Sequence, residues 1–313
     1  MLRELGILED KEKVVNKKAK LDDVVEFYYT TPKFKTLKSS TQNDYMYQLD
    51  HALNTWIGAT RFGDMQIGKV NIKHVTEAYN KWLDAGVRTA NARASSLSVV
   101  WRVALQHMIT DSNPISLLDR KQNAVRKVRW TRDQVKTFLS TAYSNYKWRS
   151  AGLIVQMAYE WAQRVGDMRL LTWDCLDLDA QRIDMEQSKR HAEVHLPISD
   201  GLTQMLKLQR DDFGFQDYVA PRVKPQAGAH TPYQKVEVSI LINDILEEAN
   251  LPLELTAMDL RRTAITEMLE AGADLAGSMQ VSGQNSPQSV KPYMVNTFSG
   301  ASRVLEARNR DAD

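Results

Sequence analysis

The stretch "EWAQRVGDMRLLTW", Glu160 to Trp173, holds Arg164 in a run that otherwise reads as core. Arginine is seldom buried without a partner, so a guanidinium kept at the end of an apolar helix needs a reason elsewhere in the chain. Upstream, the pattern fits a helix over 148–163. Downstream, "RIDMEQSKRHAEVHLPIS" (Arg182 to Ser199) alternates and breaks at Ser188 to His191, which predicts a β-hairpin with Lys189 in its turn. Thr131 followed by Gln134 has the form of a capping box that opens this region, and further helices fit 202–210, 236–249, 257–271 and the tail beyond Tyr293. Helices around one small hairpin or sheet make residues 131–313 a mixed α+β domain.

The preceding third has helical periodicity throughout. "LDDVVEFYYT" (Leu21 to Thr30) is one helix. After the turn-like "TPKFKTLKSS", "TQNDYMYQLDHALNTWI" places Tyr45, Leu49, Ala52, Leu53 and Trp56 on one stripe. Asn71 is the expected N-cap of a helix that Gly86 ends, and a fourth runs from Thr89 to about Thr110, stopped by Pro114. The reading is an all-helical unit over 21–118, preceded by a charged arm over 1–20 and followed by a basic linker over 119–130 that contains "RKQNAVRKVR" and no acid between Arg120 and Arg129.

At 313 residues the chain is long enough for two domains, and 43% hydrophobic with 26% charged residues is a globular composition. No run approaches the roughly 18 apolar residues of a membrane span, and "MLRELGILEDKEK" has no apolar signal core, so the expectation is a cytoplasmic protein with no membrane partner. The single cysteine, Cys175, has no partner for an internal disulfide and no metal-ligand companions at useful spacing. The net charge of +2 conceals +7 over residues 1–130 and −5 over 131–313. A basic N-terminal portion suggests a polyanion partner.

In "LTAMDLRRTAITEMLEAG" (Leu255 to Gly272), Thr256 can cap a helix with Asp259 at its third position, and Leu260, Ala264, Met268 and Leu269 form the apolar stripe. Arg261 follows Met258 by one turn, off that stripe. Here the chain resembles the tyrosine recombinase family, the phage integrase type of site-specific recombinase, whose His-x-x-Arg motif opens this helix. The stretch in this chain is "MDLR". Arg164 matches the first family arginine. Lys189, eight residues before Pro197, is similar to the family's hairpin lysine. "VSGQNSPQSVKPYM" resembles the Leu-Gly-His turn that precedes the nucleophile by nine residues, which makes the nucleophile Tyr293 and puts Gln284 in the histidine's place.

The resemblance implies an all-α, SAM-like core-binding domain followed by the catalytic domain, and a cofactor-free, metal-free reaction. Tyr293 attacks a DNA phosphodiester and holds it as a 3′-phosphotyrosyl bond. Arg164 and Arg261 clamp the phosphate oxygens, Gln284 donates to one of them, and Lys189 protonates the leaving 5′ oxygen. Met258 stands where a polar group would help accept the tyrosine proton, and a thioether has no useful basicity. Pro292 restricts the backbone entering Tyr293 and disfavours helix at Lys291. His191 and His195 read as solvated strand residues with proton transfer as their alternative role.

Double-stranded DNA with attachment-type core sites is the implied partner, held in a clamp of the two domains. Expected contacts come from Lys38, Ser39 and Thr41, from Arg88, Thr89, Asn91 and Arg93, from Lys121, Arg126, Lys127 and Arg129 in the linker, and from Arg262. The family's habit implies a homo-tetramer on two DNA sites, a host DNA-bending protein or an excisionase as helper, and a phage or mobile element as source, acting at the nucleoid of a bacterial host. The short segment before residue 21 leaves little room for a separate arm-binding domain. Met258, Gln284 and Pro292 keep open a recombinase fold that binds DNA as a regulator without cleaving it. A type IB-like topoisomerase is the third reading.

Overall fold

Leu21, Val24, Val25 and Tyr28 recur at helical spacing and are buried on one face of α1 (Leu21–Thr30). The computed structural model describes residues 18–124, 126–189, 191–294, 301–302 and 305–306. The charged arm, apart from residues 18–20, and most of the tail beyond Met294, Val304 included, lie outside the described residues. The chain divides into two units, residues 1–125 and 126–313.

In the first unit α1 is followed by a single turn, α2 (Pro32–Lys35), where the sequence suggested only a turn: Thr31 caps it and buries Phe34. Next come α3 (Ser39–Leu53), α4 (Ile72–Trp82) and α5 (Val87–Gln106). Asn71 caps α4 as expected, its Oδ1 accepting from the Lys73 and His74 amides at 3.0 and 3.3 Å. Gly86, at φ +97°, joins α4 to α5 in a conformation that a side chain would strain. Trp82 and Trp101 fill the centre of the core.

The α3 stripe does not reach Trp56, because the helix stops at Leu53 and the chain enters a two-residue antiparallel ribbon, β1 (Trp56–Ile57) with β2 (Thr60–Arg61). Strand alternation then turns Ile57 inward and leaves Trp56 59% exposed.

The second unit is built around α7 (Arg149–Glu160), whose residues 151–158 are all buried. It packs on α6 (Arg132–Ser144) so closely that a Cβ on Gly152 would sit 2.8 Å from that of Ala142. Thr131 and Gln134 form the expected capping box of α6. After α7 come the single turn α8 (Val165–Met168) and an antiparallel sheet of β3 (Leu176–Asp177), β4 (Arg182–Glu186) and β5 (Glu193–Pro197). In the predicted hairpin Ile183 pairs with Leu196 and Met185 with Val194. All four face the core, so the period-2 pattern survives intact. The helices α9 (Asp200–Phe213), α10 (Lys235–Glu248) and α11 (Ala257–Glu270) lie near their expected positions, and α12 (Leu275–Ser282) and α13 (Pro287–Val290) precede Tyr293.

The stretch expected as a basic linker is tied down at both ends. At its start, the Asn91 amide donates to the Lys121 carbonyl at 2.8 Å and Tyr79 Oη accepts from the Lys121 amide at 2.9 Å. At its end, Arg126 forks the Asp259 carboxylate with two bonds of 2.8 Å, and Trp130 donates to Thr263 Oγ1 and to the Thr256 carbonyl at 3.0 Å each. Burial pushes the Asp259 carboxyl up, but hydrogen bonds from Arg126 and Thr256 outweigh it and hold the group below the ordinary carboxylate range.

Candidate active site

Helix α7 runs out at Glu160, and Ala162, at φ +51°, turns the chain sharply. The turn buries Gln163 completely and delivers Arg164 as the N-cap of α8, three-quarters shielded. Arg164 Nη1 donates to Gln187 Oε1 at 2.8 Å and lies 3.5 Å from Asp167 Oδ2, a carboxylate that is itself buried. Partners therefore exist for the guanidinium in the opening stretch: an amide from the end of the hairpin and a carboxylate one turn on.

Gln187 is fully buried. Its Nε2 donates to Gln163 Oε1 at 2.6 Å and to the Ser282 carbonyl at 2.8 Å. Gln163 Nε2 in turn donates to the Val281 carbonyl at 2.7 Å. Arg261, from the first turns of α11, donates through Nη2 to the same Ser282 carbonyl at 2.7 Å. Beyond that carbonyl Gly283 adopts φ +61°, with the Gln187 amide against the space a side chain would need.

Arg261 is only 8% exposed, and its Nη1 is buried with no hydrogen-bond partner among the described residues. Burial and the positive charge of Arg164 pull this guanidinium down to about 10, with Tyr293 and Asp167 acting the other way. It stays charged at neutral pH. Two guanidiniums share one nearby carboxylate, Asp167, with Tyr293 as a further support for Arg261, so the cluster keeps a net positive charge.

Tyr293 sits half-buried in a 3-10 turn, Lys291–Tyr293, against the cluster of Ala162, Ala264, Ile265 and Val290, near enough to Arg261 to support its charge. The turn is fastened to α11: Thr266 Oγ1 donates to the Tyr293 carbonyl at 3.1 Å and Arg262 Nη2 to that of Pro292 at 2.8 Å. Lys291 is helical at φ −45°, ψ −39°, contrary to the expectation from Pro292. A ring near the start of a short helical turn removes only an N–H that the turn leaves unused.

Of the other expected site residues, Gln284 is buried just after Gly283 and its Oε1 has no partner among the described residues. Lys189 is exposed in the hairpin turn, and Met258, at the start of α11, is 79% exposed while Arg261 one turn on is buried. His191 and His195 are exposed and pair with Glu186 and Asp184. Among the described residues no group of three or more His, Cys, Asp or Glu is placed to hold a metal ion, and no helix is long and apolar enough to cross a membrane.

The expected DNA contacts separate into two sets. Lys38, Ser39, Arg88, Lys121 and Lys127 are exposed, and Thr41, Thr89 and Arg93 are half-buried. Three others are occupied: Asn91 bridges Tyr79 Oη and the Lys121 carbonyl, Arg126 is committed to Asp259, and Arg262 to Pro292. Arg129 pairs with Glu270 at 3.2 Å near the surface. Sequence reading missed Gln163, Asp167 and Gln187. A signal existed for Gln187, since alternation from Ile183 and Met185 turns position 187 inward.

A family model described as the Phage integrase family matches residues 129–299, more than half of the chain. The tyrosine recombinase XerC of Bacillus pumilus (strain SAFR-032) is 21% identical over 229 residues, covering 70% of this chain and 73% of the relative. Among solved structures, a lambda integrase dimer bound to a COC' core site is 18% identical with a TM-score of 0.72, covering 90% of this chain and 80% of that one. A lambda integrase tetramer bound to a Holliday junction is 16% identical with a TM-score of 0.72, covering 89% and 78%. The match spans both arginines, the hairpin lysine and the turn that carries Tyr293, and the fold is shared over most of the length: this chain belongs to the phage integrase family of tyrosine recombinases.

Proposed function

We propose that the protein is a site-specific DNA strand transferase that cuts and rejoins duplex DNA through Tyr293. The observation that carries this reading is the buried Arg261 guanidinium, one amino group unpartnered, between Arg164 and Tyr293. A phosphodiester supplies an anion. Tyr293 Oη attacks the phosphorus, the bond to the 5′ oxygen breaks, and the DNA stays on the protein as a 3′-phosphotyrosyl ester. Charge that builds on the non-bridging oxygens is met by the two guanidiniums, with Gln284 as a further donor. The leaving oxygen takes its proton from Lys189, and the tyrosine proton passes to solvent, since Met258 has no basic atom. Attack on the ester by a 5′ hydroxyl from a second duplex restores the tyrosine.

Binding to the duplex draws on the exposed donors of both units, Lys38, Ser39, Arg88, Lys121 and Lys127 among them. Four copies on two core sites is the assembly proposed, in keeping with the tetramer formed by the structurally similar lambda integrase. A second reading, a DNA-binding regulator on the same fold, is favoured by one observation, the apolar and exposed Met258 at the mouth of α11.

The test is incubation with pooled fragments of the source genome, denaturation, and sequencing of the DNA retained on the protein, with Tyr293→Phe as control. Adducts at one locus support the strand transferase. Adducts scattered without preference would make it a topoisomerase, and specific binding without adducts would make it the regulator.

A further inference from the structure

We propose that Gln187 is a positioning residue that locks the loop carrying Lys189 to the arginine pair. This rests on the strand-transfer reading and adds to it the means by which the acid and the phosphate clamp are held in one register.

The backbone of Gln187 closes the loop. Its N–H donates to the Ala192 carbonyl at 2.9 Å, and its carbonyl accepts from the His191 amide at 3.0 Å, so Lys189 lies within the segment so closed. The side chain points the other way, into the protein, and spends every polar atom there: Oε1 on Arg164, and the two amide hydrogens on Gln163 and the Ser282 carbonyl. That carbonyl is also the anchor of Arg261. Ser188 adds a second tether by donating to Asp167, the carboxylate beside Arg164. Two consecutive residues at the root of the loop are thus fixed to Arg164, to its carboxylate Asp167 and to the carbonyl that anchors Arg261, and Lys189 is the first residue beyond them.

The residue type fits the task. A carboxylate at 187 would neutralise Arg164, taking charge away from an incoming phosphate, and it has no N–H for the Ser282 carbonyl. An apolar side chain would leave Gln163 Oε1 without its donor in a dry site and the Ser282 carbonyl with Arg261 alone. A Cβ on Gly283 would fall 2.4 Å from Gln187 Nε2, so only glycine leaves room for the amide.

The experiment uses the full chain with Gln187→Glu, which keeps the volume, and Gln187→Ala. Cleavage is followed in single turnover at saturating DNA on the captured site, alongside DNA affinity and amide hydrogen exchange. Affinity should hold within about 3-fold while the cleavage rate falls about 10²-fold, the scale of a misplacement near 1 Å. Sulfur in place of the 5′ bridging oxygen leaves as a thiolate without a proton, and should recover about 10-fold or more of that loss, which a loss of stability would not do. An unchanged rate, or no recovery with sulfur, overturns the proposal. Exchange is judged apart from catalysis: Gln187→Glu should quicken the His191 and Gln284 amides together, and quickening at only one of them overturns the coupling. Absence of an adduct with the unmodified protein defeats the strand-transfer reading and leaves the coupling to the exchange result.

Discussion

Arg261 Nη2 and Gln187 Nε2 donate into the same acceptor, the carbonyl of Ser282, at 2.7 and 2.8 Å. That carbonyl ends α12, where helical partners run out and positive charge is favoured. The fold thereby holds a catalytic-domain arginine by one amino group and leaves the other, Nη1, without a partner. A guanidinium so placed serves a ligand better than it serves stability.

Arg261→Ala should therefore abolish most of the cleavage and little of the binding. Loss of one oxyanion donor costs about 10²- to 10³-fold in rate. One phosphate contact among many costs a few-fold in affinity at fixed salt. Single-turnover cleavage beside a binding titration separates the two, and a collapse of binding equal to the loss of rate would remove Arg261 from the clamp.

Met258→His places an ionisable ring at an exposed position one turn before Arg261. A proton acceptor for Tyr293 typically contributes about 10²- to 10⁴-fold, so the variant should cleave at least about 10-fold faster near pH 7, with the gain lost as pH falls below the histidine range. Thermal stability should change little at so exposed a site. A pH–rate profile identical to that of the unmodified protein would mean that position 258 has no path to the tyrosine proton.

Gly283→Ala meets two penalties, a left-handed backbone at φ +61° and a Cβ driven into the Gln187 amide. Together these should cost roughly 2–5 kcal/mol of stability, from about 1–2 for the backbone and about 1–3 for overpacking. Denaturant unfolding measures it.

Acid should act on Asp259, the buried partner of Arg126 at the entry to the second unit. Its carboxyl is held low in the folded protein, so the stability it contributes is complete above the unfolded value near 4 and is lost as pH falls through the lower folded value. Asp259→Asn should be less stable than the parent by about 1–3 kcal/mol at pH 7, with the gap narrowing below about pH 4. A gap of constant size across that window would contradict the ion pair.

Much of the fold is legible in the sequence. The alternation through Ile183, Met185, Val194 and Leu196 specifies the hairpin, and Asn71, Thr131 and Thr256 announce three helix starts. Two kinds of feature are not. Trp56 continues a helical stripe in the sequence, yet the chain leaves the helix at Asn54, a decision made by tertiary packing around Ile57. Arg126 and Asn91 have the composition of DNA contacts, and only the fold reveals that Asp259 and the Lys121 carbonyl already hold them. The three short pieces before Tyr293 carry too few residues for a period to show.

The most direct measurement is to trap the protein on its captured site, digest both components, and identify by mass spectrometry the residue that retains a nucleotide. One modified peptide is expected, with Tyr293 esterified through a 3′ phosphate and the signal absent in Tyr293→Phe. A nucleotide on any other side chain, or an adduct that survives Tyr293→Phe, would contradict it.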